Sequence, residues 1–391
     1  MQNSVAFTLV ELVVVLTILT LLTTLGVASY YGVVAKAREM SLSADLTTAS
    51  VQIKRYKADN GAFPASIGCP TDTGVGRLCL QAGDGNSFVD YAVDNSTSPQ
   101  TFQLSAQHVN TVNYRVTNIN APLVCPTGFI VVPGSSTYDT SDFCVMKYEA
   151  KNNGSDAPVS VPSGLPWVNI TQPNALQASS KVAFCSDCHL ISEKEWMTLM
   201  QSVLSVPSNW STGTVGSGYI YSGHNDTVPN NALAASTDDD GYSGTGNNAS
   251  DATITDNVVG KAQKRTLKLT NGEVVWDMAG NVWEWTSGQT TGGQPGLSTD
   301  TTWTWREWTA LDTEGTLAVN PNPKTTGLSG SDSWTSANGM GQIVSYTSNM
   351  TLRGFVRGGR WGNGLGAGVS AFYIGEVPSD AGADVGFRVA R

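Results

Sequence analysis

The hydrophobic pattern of this chain changes character several times. From Leu12 to Ala35 twenty-four residues rich in Val, Leu, Ile and Thr carry no charge. That exceeds the roughly 20 residues a helix needs to span a bilayer, and it is too long for an ordinary secretory h-region. Glu11 stands at the start of the run, where a carboxylate is costly in lipid unless paired. From Ala35 to Ala58 apolar residues mix with Lys, Arg, Glu and Asp, and Pro and Gly are absent. The two stretches together predict one helix over 7–58, roughly 75 Å long at the usual rise, which Asn60-Gly61 ends.

Beyond that stop the period shifts toward two. Phe88–Val93, Thr101–Ala106 and Val112–Val116 read as short alternating strands, the first two separated by the turn signal Asp94-Asn-Ser-Thr-Ser-Pro99. Ser192 with Glu195 three residues on predicts a capping box and hence a helix start. From Ser205 to Asp256 the chain is mostly Gly, Ser, Asn, Thr and Asp, but Trp210, Tyr219, Tyr221, Leu233 and Tyr242 recur, which argues for order. Trp283 and Trp285 alternate, so one strand face can bury both indoles. Arg357-Gly-Gly-Arg-Trp361 predicts a strand with close backbone approach at its glycines, and Gly386-Phe-Arg388 is expected to pair back with it as the last strand.

Composition narrows the function. At 391 residues two or more domains with real cores are expected. Only 14% of residues are charged, the formal charge is −10 and the pI about 4.7, with no Lys/Arg run. Nucleic-acid recognition wants a basic patch, so it is excluded as a partner class. Six cysteines, an even number, suit an oxidising compartment. The expected pairs are Cys69–Cys79, Cys125–Cys144 and Cys185–Cys188, the alternative being six buried thiols. Cys185-x-x-Cys188 before His189 hints at zinc or redox chemistry, but no second CxxC or nearby histidine completes a zinc set. Asp238-Asp-Asp240 offers the oxygens calcium favours, or is simply a solvated acidic turn.

Phe7-Thr-Leu-Val-Glu11-Leu resembles the type IV prepilin signal. The resemblance implies a leader of residues 1–6, cleavage by a prepilin peptidase between Ala6 and Phe7, and a transmembrane part over 7–35. It implies methylation of the new α-amine, and pairing of Glu11 with the terminal amine of a neighbouring subunit, so that the cost of the charge falls on assembly and helps set register. Two features depart from the family: Ala6 stands where Gly is usual, and the leader carries no Lys or Arg. A plain membrane anchor is the simpler alternative. Lys54-Arg-Tyr-Lys-Ala-Asp-Asn-Gly-Ala-Phe-Pro64 is similar to the helix exit of pseudopilins, implying a small antiparallel β head over 59–118.

Cys125-Pro-Thr-Gly-Phe-Ile-Val-Val-Pro133, Phe143-Cys-Val-Met-Lys-Tyr-Glu-Ala150, Leu190-Ile-Ser-Glu-Lys-Glu-Trp196, Trp276-Asp-Met-Ala-Gly-Asn-Val-Trp-Glu-Trp285 and Gly386-Phe-Arg-Val-Ala-Arg391 carry a second resemblance. They are similar to the domain of formylglycine-generating enzymes (sulfatase-modifying factors) and of C-type-lectin-like proteins diversified by retroelements. That likeness implies an α+β chain whose residues 119–391 form a C-type-lectin-like domain with long loops. It places a structural calcium beside Asn281 and Glu284, with no cofactor otherwise required. It also implies a variable region over 357–388 whose ligand surface is Arg360, Gly362, Asn363, Leu365, Gly366, Tyr373, Gly375, Glu376, Asp380, Gly382, Ala383 and Asp384, all pointing outward. The enzyme binds copper through two cysteines in this last segment, and here the segment has none.

The expected function is therefore non-catalytic: a minor or tip pilin-like subunit displaying a ligand-binding domain at the cell surface, anchored in the cytoplasmic membrane before assembly. Its partners would be other pilin subunits and an unknown protein or glycan. The alternatives are a structural pilin with a decorative domain and a formylglycine-generating-type oxidase, the latter disfavoured because His108, His189 and His224 lie far apart and offer no evident base.

Overall fold

The computed structural model describes residues 37–38, 40–69, 76–83, 85–96, 100–108, 112–117, 123–183, 185, 187–235, 263–312 and 323–391. The leader, Ala6, Phe7, Glu11, the apolar run to residue 35 and Asp238–Asp240 lie outside them. Among the described residues no helix is long and apolar enough to cross a membrane. The chain divides into two compact units, Met1–Val124 and Cys125–Arg391. The architecture is mixed α+β, with few helices and several small sheets.

In the first unit helix α1 occupies residues 40–60. Leu42, Leu46, Ala49 and Ile53 recur at helical spacing and are all buried. The helix ends where the sequence places its stop: Gly61 takes a left-handed φ of 77° and its N–H donates to the Lys57 carbonyl at 2.8 Å. A short parallel pair follows, β1 (Ser66–Ile67) with β2 (Arg77–Leu78), beside the Cys69–Cys79 disulfide. Strands β3 (Asn86–Asp94), β4 (Thr101–His108), β5 (Val112–Thr117) and β6 (Leu123–Val124) form an antiparallel sheet in that order. Phe102, Leu104 and Ala106 alternate along β4 and pack with the buried stripe of α1, Phe63 and Leu80. Asp45 locks the helix to the sheet entrance, its Oδ2 accepting from the Gly83 N–H and the Asn86 amide.

The second unit opens with β7 (Phe129–Val132) and β8 (Phe143–Met146), an antiparallel pair beside the Cys125–Cys144 disulfide. A small pair, β9 (Lys151–Asn152) and β10 (Pro158–Val159), precedes helix α2 (Gln172–Ser179). After β11 (His189–Leu190) comes helix α3 (Glu193–Leu204), started by the predicted capping box: Ser192 accepts from the Glu195 N–H while Glu195 accepts from the Ser192 N–H. Its Trp196, Met197, Leu199, Met200, Val203 and Leu204 all enter the larger core cluster. Of the polar stretch beginning at Ser205, residues 205–235 are described and fold onto that core through Trp210 and Ile220.

Strands β12 (Thr266–Lys268) and β13 (Val274–Trp276) form a hairpin. Strands β14 (Trp283–Thr291), β15 (Thr304–Arg306), β16 (Ile343–Ser345), β17 (Leu352–Arg357), β18 (Phe372–Tyr373) and β19 (Val385–Phe387) form a sheet of order β15-β16-β18-β17-β14-β19. Strand β20 (Val389–Ala390) ends the chain between β11 and β8 in a second sheet.

This order corrects one expectation. Gly386-Phe387 does not pair with the Arg357 strand. The Trp283–Trp285 strand lies between them, antiparallel to β17 and parallel to β19. The physical reason is Glu284: near the start of β14 it is fully buried and receives the Arg388 guanidinium, which holds the adjoining strand β19 to its side. The glycine expectation holds in modified form. Gly358 and Gly359 sit just past the end of β17, both at φ 89°, and a Cβ on Gly359 would meet Ala367 at 2.6 Å.

Candidate ligand-binding site

The two-residue period of the six-stranded sheet sorts its side chains into two rows. Register places Trp285 opposite Val356, Val356 opposite Tyr373, Tyr373 beside Val344, and Val344 opposite Trp305. Paired residues project to the same face, so these five make one continuous row, and Trp283, two positions from Trp285, joins it. The other row carries Glu284, Arg357, Phe372 and Ile343. There Arg357 is ion-paired with Glu193 and lies 4.0 Å from the Phe372 ring centroid.

Trp283, Val344, Trp305 and Tyr373 of the first row line a pocket of about 340 Å³ with Trp303, Arg360, Asn363, Glu376 and Asp384, while Trp285 and Val356 of the same row are buried in the core. Its rings are arranged as a platform with one wall. Trp283 is stacked toward Trp305 (22° between planes) and toward Tyr373 (28°), while Trp303 is tilted by 54° to Tyr373 and meets Tyr346 edge-on. Trp305 remains 39% exposed. The Arg353 guanidinium lies 4.9 Å from the Trp303 ring centroid.

Two loops supply the polar rim. In the first, the Arg360 N–H donates to Asn363 Oδ1 at 2.8 Å, and the Arg360 guanidinium reaches Asp384 of the second loop at 3.1 Å. In the second, Asp380 accepts from the Val377 N–H at 2.9 Å and shares a hydrogen bond with Glu376. Burial first, then that bond and the charges of Asp380 and Asp384, push the Glu376 carboxyl up to about 7, against the pull of Arg353. Burial also raises the Tyr373 phenol, helped by Glu376.

Five of the residues expected to face a ligand (Arg360, Asn363, Tyr373, Glu376 and Asp384) thus meet in one pocket. Gly362, Gly375, Asp380, Gly382 and Ala383 are half-exposed or exposed on the surrounding loops. Leu365 is half-buried and lines a separate small cavity with Tyr219 and Ile220. Gly366 corrects the expectation of outward facing: it is buried, and a Cβ there would meet the Trp305 ring at 2.7 Å. The sequence reading missed Trp303, Trp305 and Val344. The signal that could have found the two indoles is their own alternation, Trp303-Thr-Trp305, the same spacing that singled out Trp283 and Trp285.

Asn281 and Glu284 lie deeper, in a buried charge network. Glu284 Oε1 and Oε2 accept from Arg388 at 2.7 and 3.0 Å. Asn281, at a left-handed φ of 64°, donates to Glu149 Oε2 at 2.6 Å, and its Oδ1 accepts from the Leu233 N–H. Arg265 forks onto both oxygens of Asp277, and Lys151 completes a set of three acids and three bases. Burial pushes Glu149 and Glu284 up and Lys151 down. A guanidinium already occupies both Glu284 oxygens, so Asn281 and Glu284 do not fit as a calcium-ligand pair, which needs several free oxygens facing one ion. The Cys185-x-x-Cys188 motif is closed as a disulfide and so presents no thiolates for zinc. His189 instead bonds Glu195 at 2.9 Å, a contact that raises the imidazole to about 9.

The family of sulfatase-modifying factor enzyme 1-like domains matches residues 107–391. No curated protein matches the chain. Among solved structures, the Major Tropism Determinant I1 variant is 14% identical over 68% of this chain and 52% of its own, with a TM-score of 0.30. The U1 variant is 14% identical over the same shares, with a TM-score of 0.26. The M1 variant is 13% identical over 80% of this chain and 73% of its own, with a TM-score of 0.27. The chain thus spans about half the length of the I1 and U1 variants.

Proposed function

This chain belongs to the family of sulfatase-modifying factor enzyme 1-like domains, and from that premise we propose that it uses the family's frame to bind rather than to oxidise. The observation that carries the reading is the aromatic pocket on the sheet, rimmed by Arg360, Asn363, Glu376 and Asp384. A concave site with apolar walls and a few convergent polar groups is what recognition needs. The cysteines supply the complementary argument. All six are joined in disulfides and none lies beyond Cys188, so the segment that would need two thiolates for copper(I) has none to offer. No cofactor is required for this role. The test is direct: the full chain, incubated with copper(I), dioxygen, a thiol co-reductant and a cysteine-containing peptide, forms no aldehyde at the cysteine. An aldehyde in place of the thiol overturns the reading.

The ligand, in this proposal, is a protein or glycan met outside the cell. The N-terminal phrase Phe7–Leu12 and the apolar run after it support display on a type IV pilin-like filament at the cell surface. The chain would then be held in the cytoplasmic membrane before assembly, cut by a prepilin peptidase after Ala6, and matched to neighbouring pilin subunits through Glu11. Residues 357–388 would be the diversified surface. Mass spectrometry of the chain recovered from its host envelope should find Phe7, methylated, as the first residue. A different first residue defeats the pilin assignment while leaving the pocket untouched.

A further inference from the structure

The pocket combines ring faces with an excess of carboxylates. Glu376, Asp380 and Asp384 all act on the Tyr373 phenol, and they come from one loop that borders the ring platform. Two cations lie near, and both already make polar contacts, although Arg353 Nε is buried without a hydrogen-bond partner among the described residues. Arg353 rests on the Trp303 ring, with Nη1 donating to the Gly375 carbonyl and Nη2 to Asn349 Oδ1. Arg360 is paired with Asp384 across the rim. Among the described residues no basic side chain forms an ion pair with Glu376 or Asp380.

Building on the binding reading, we propose that this pocket takes a cationic group of its ligand, an ammonium or a guanidinium, against the rings of Trp305 and Tyr373 with Glu376 as its counter-ion. Aromatic faces carry negative quadrupole potential and attract such groups, most strongly where water is excluded. A neutral sugar would use the same rings but would bring no cation to Glu376, which has no ion-pair partner among the described residues. The volume of about 340 Å³ accommodates a side-chain-sized group. Trp305, 39% exposed, can meet an incoming ligand without rearrangement of the core.

The rim also sets a pH dependence. The groups facing Glu376 are Asp380 and Asp384, which favour its proton, Arg353, which opposes it, and Tyr373, a phenol that Glu376 itself raises. With its carboxyl at about 7, Glu376 is mostly protonated at pH 6 and mostly ionised at pH 8. A bound cation replaces that proton, so affinity rises with pH, by about tenfold from pH 6 to pH 8 when only the ionised form pairs.

Tryptophan fluorescence reads the test, because all eleven tryptophans lie between Trp167 and Trp361. The full chain is titrated with Nα-acetyl-lysine methylamide, Nα-acetyl-arginine methylamide and choline, which separate primary ammonium, guanidinium and quaternary ammonium sources, and with methyl glucoside as the neutral probe. The inference expects saturable quenching by at least one cationic probe, about tenfold tighter at pH 8 than at pH 6. In Glu376→Gln that pH dependence flattens and binding weakens. Binding of the sugar without the cations overturns the cationic class but keeps the pocket as a binding site. Absence of response to every probe also overturns the class, and the fate of the broader binding reading is then decided separately by larger ligands. Cation binding that is indifferent to pH and to Glu376→Gln removes the assigned counter-ion and overturns the proposal.

Discussion

Replacing Arg388 by Met lowers the stability of the second unit by about 3–5 kcal/mol, the range for breaking a buried ion pair on one side. The side chain is wholly buried. Its guanidinium satisfies both oxygens of Glu284 and also donates to the carbonyls of Met146, Lys147 and Trp276. Methionine fills much of the volume but leaves one buried carboxylate without its cation and three carbonyls short of a donor. Burial already raises Glu284 in the intact protein, and without Arg388 it rises further. A carboxyl raised above its unfolded value favours folding below that unfolded value and loses the contribution as pH rises through the folded one. The variant should therefore recover part of its deficit near pH 4.5 and be weakest at pH 8. Urea midpoints followed by tryptophan fluorescence measure this, and the double variant Arg388→Met with Glu284→Leu should regain much of the loss. A single variant as stable as the parent at pH 8 would show that Glu284 finds another partner.

Replacing Trp305 by Ala should weaken ligand capture by at least about thirtyfold, the effect of removing an aromatic hot spot worth 2 kcal/mol or more. The indole forms one end of the cross-strand row, stands parallel to Trp283 and covers Gly366. Its partial exposure means that little core packing is lost, so the urea midpoint should move far less than in Arg388→Met. That contrast separates a wholly buried ion-pair residue, Arg388, from a half-exposed pocket residue, Trp305. Equal destabilisation by both substitutions would mean that Trp305 acts as a core residue and not as a ligand-facing one.

Local chemistry was readable before the fold. The capping box at Ser192 and Glu195, the stop at Asn60-Gly61 and the alternating strands of the first unit need only near neighbours, and each is present where the sequence places it. The position of Gly386-Phe387 was not readable, because strand order depends on which distant segment inserts. Glu284 decides it by meeting Arg388 across 104 positions of sequence. Gly366 failed for the same reason, since the ring that covers it comes from Trp305, sixty-one residues earlier. Trp283 shows how the two levels meet. Its alternation with Trp285 predicted a buried face, and it is only 5% exposed, yet its edge lines the pocket because Trp305 and Tyr373 arrive beside it from other strands. The buried network of Glu149, Lys151, Arg265, Asp277, Glu284 and Arg388 was equally hidden, since none of its members is distinguishable from a surface charge until the strands are laid together.

The most direct measurement of the binding claim is retention on an immobilised array of glycans and peptides, read in parallel for the full chain and for Trp305→Ala. Capture of at least one ligand by the intact protein, reduced thirtyfold or more in the variant with the urea midpoint little changed, is the predicted result. Failure of the intact protein to retain anything, or equal retention by both, would contradict a ligand site on this aromatic row.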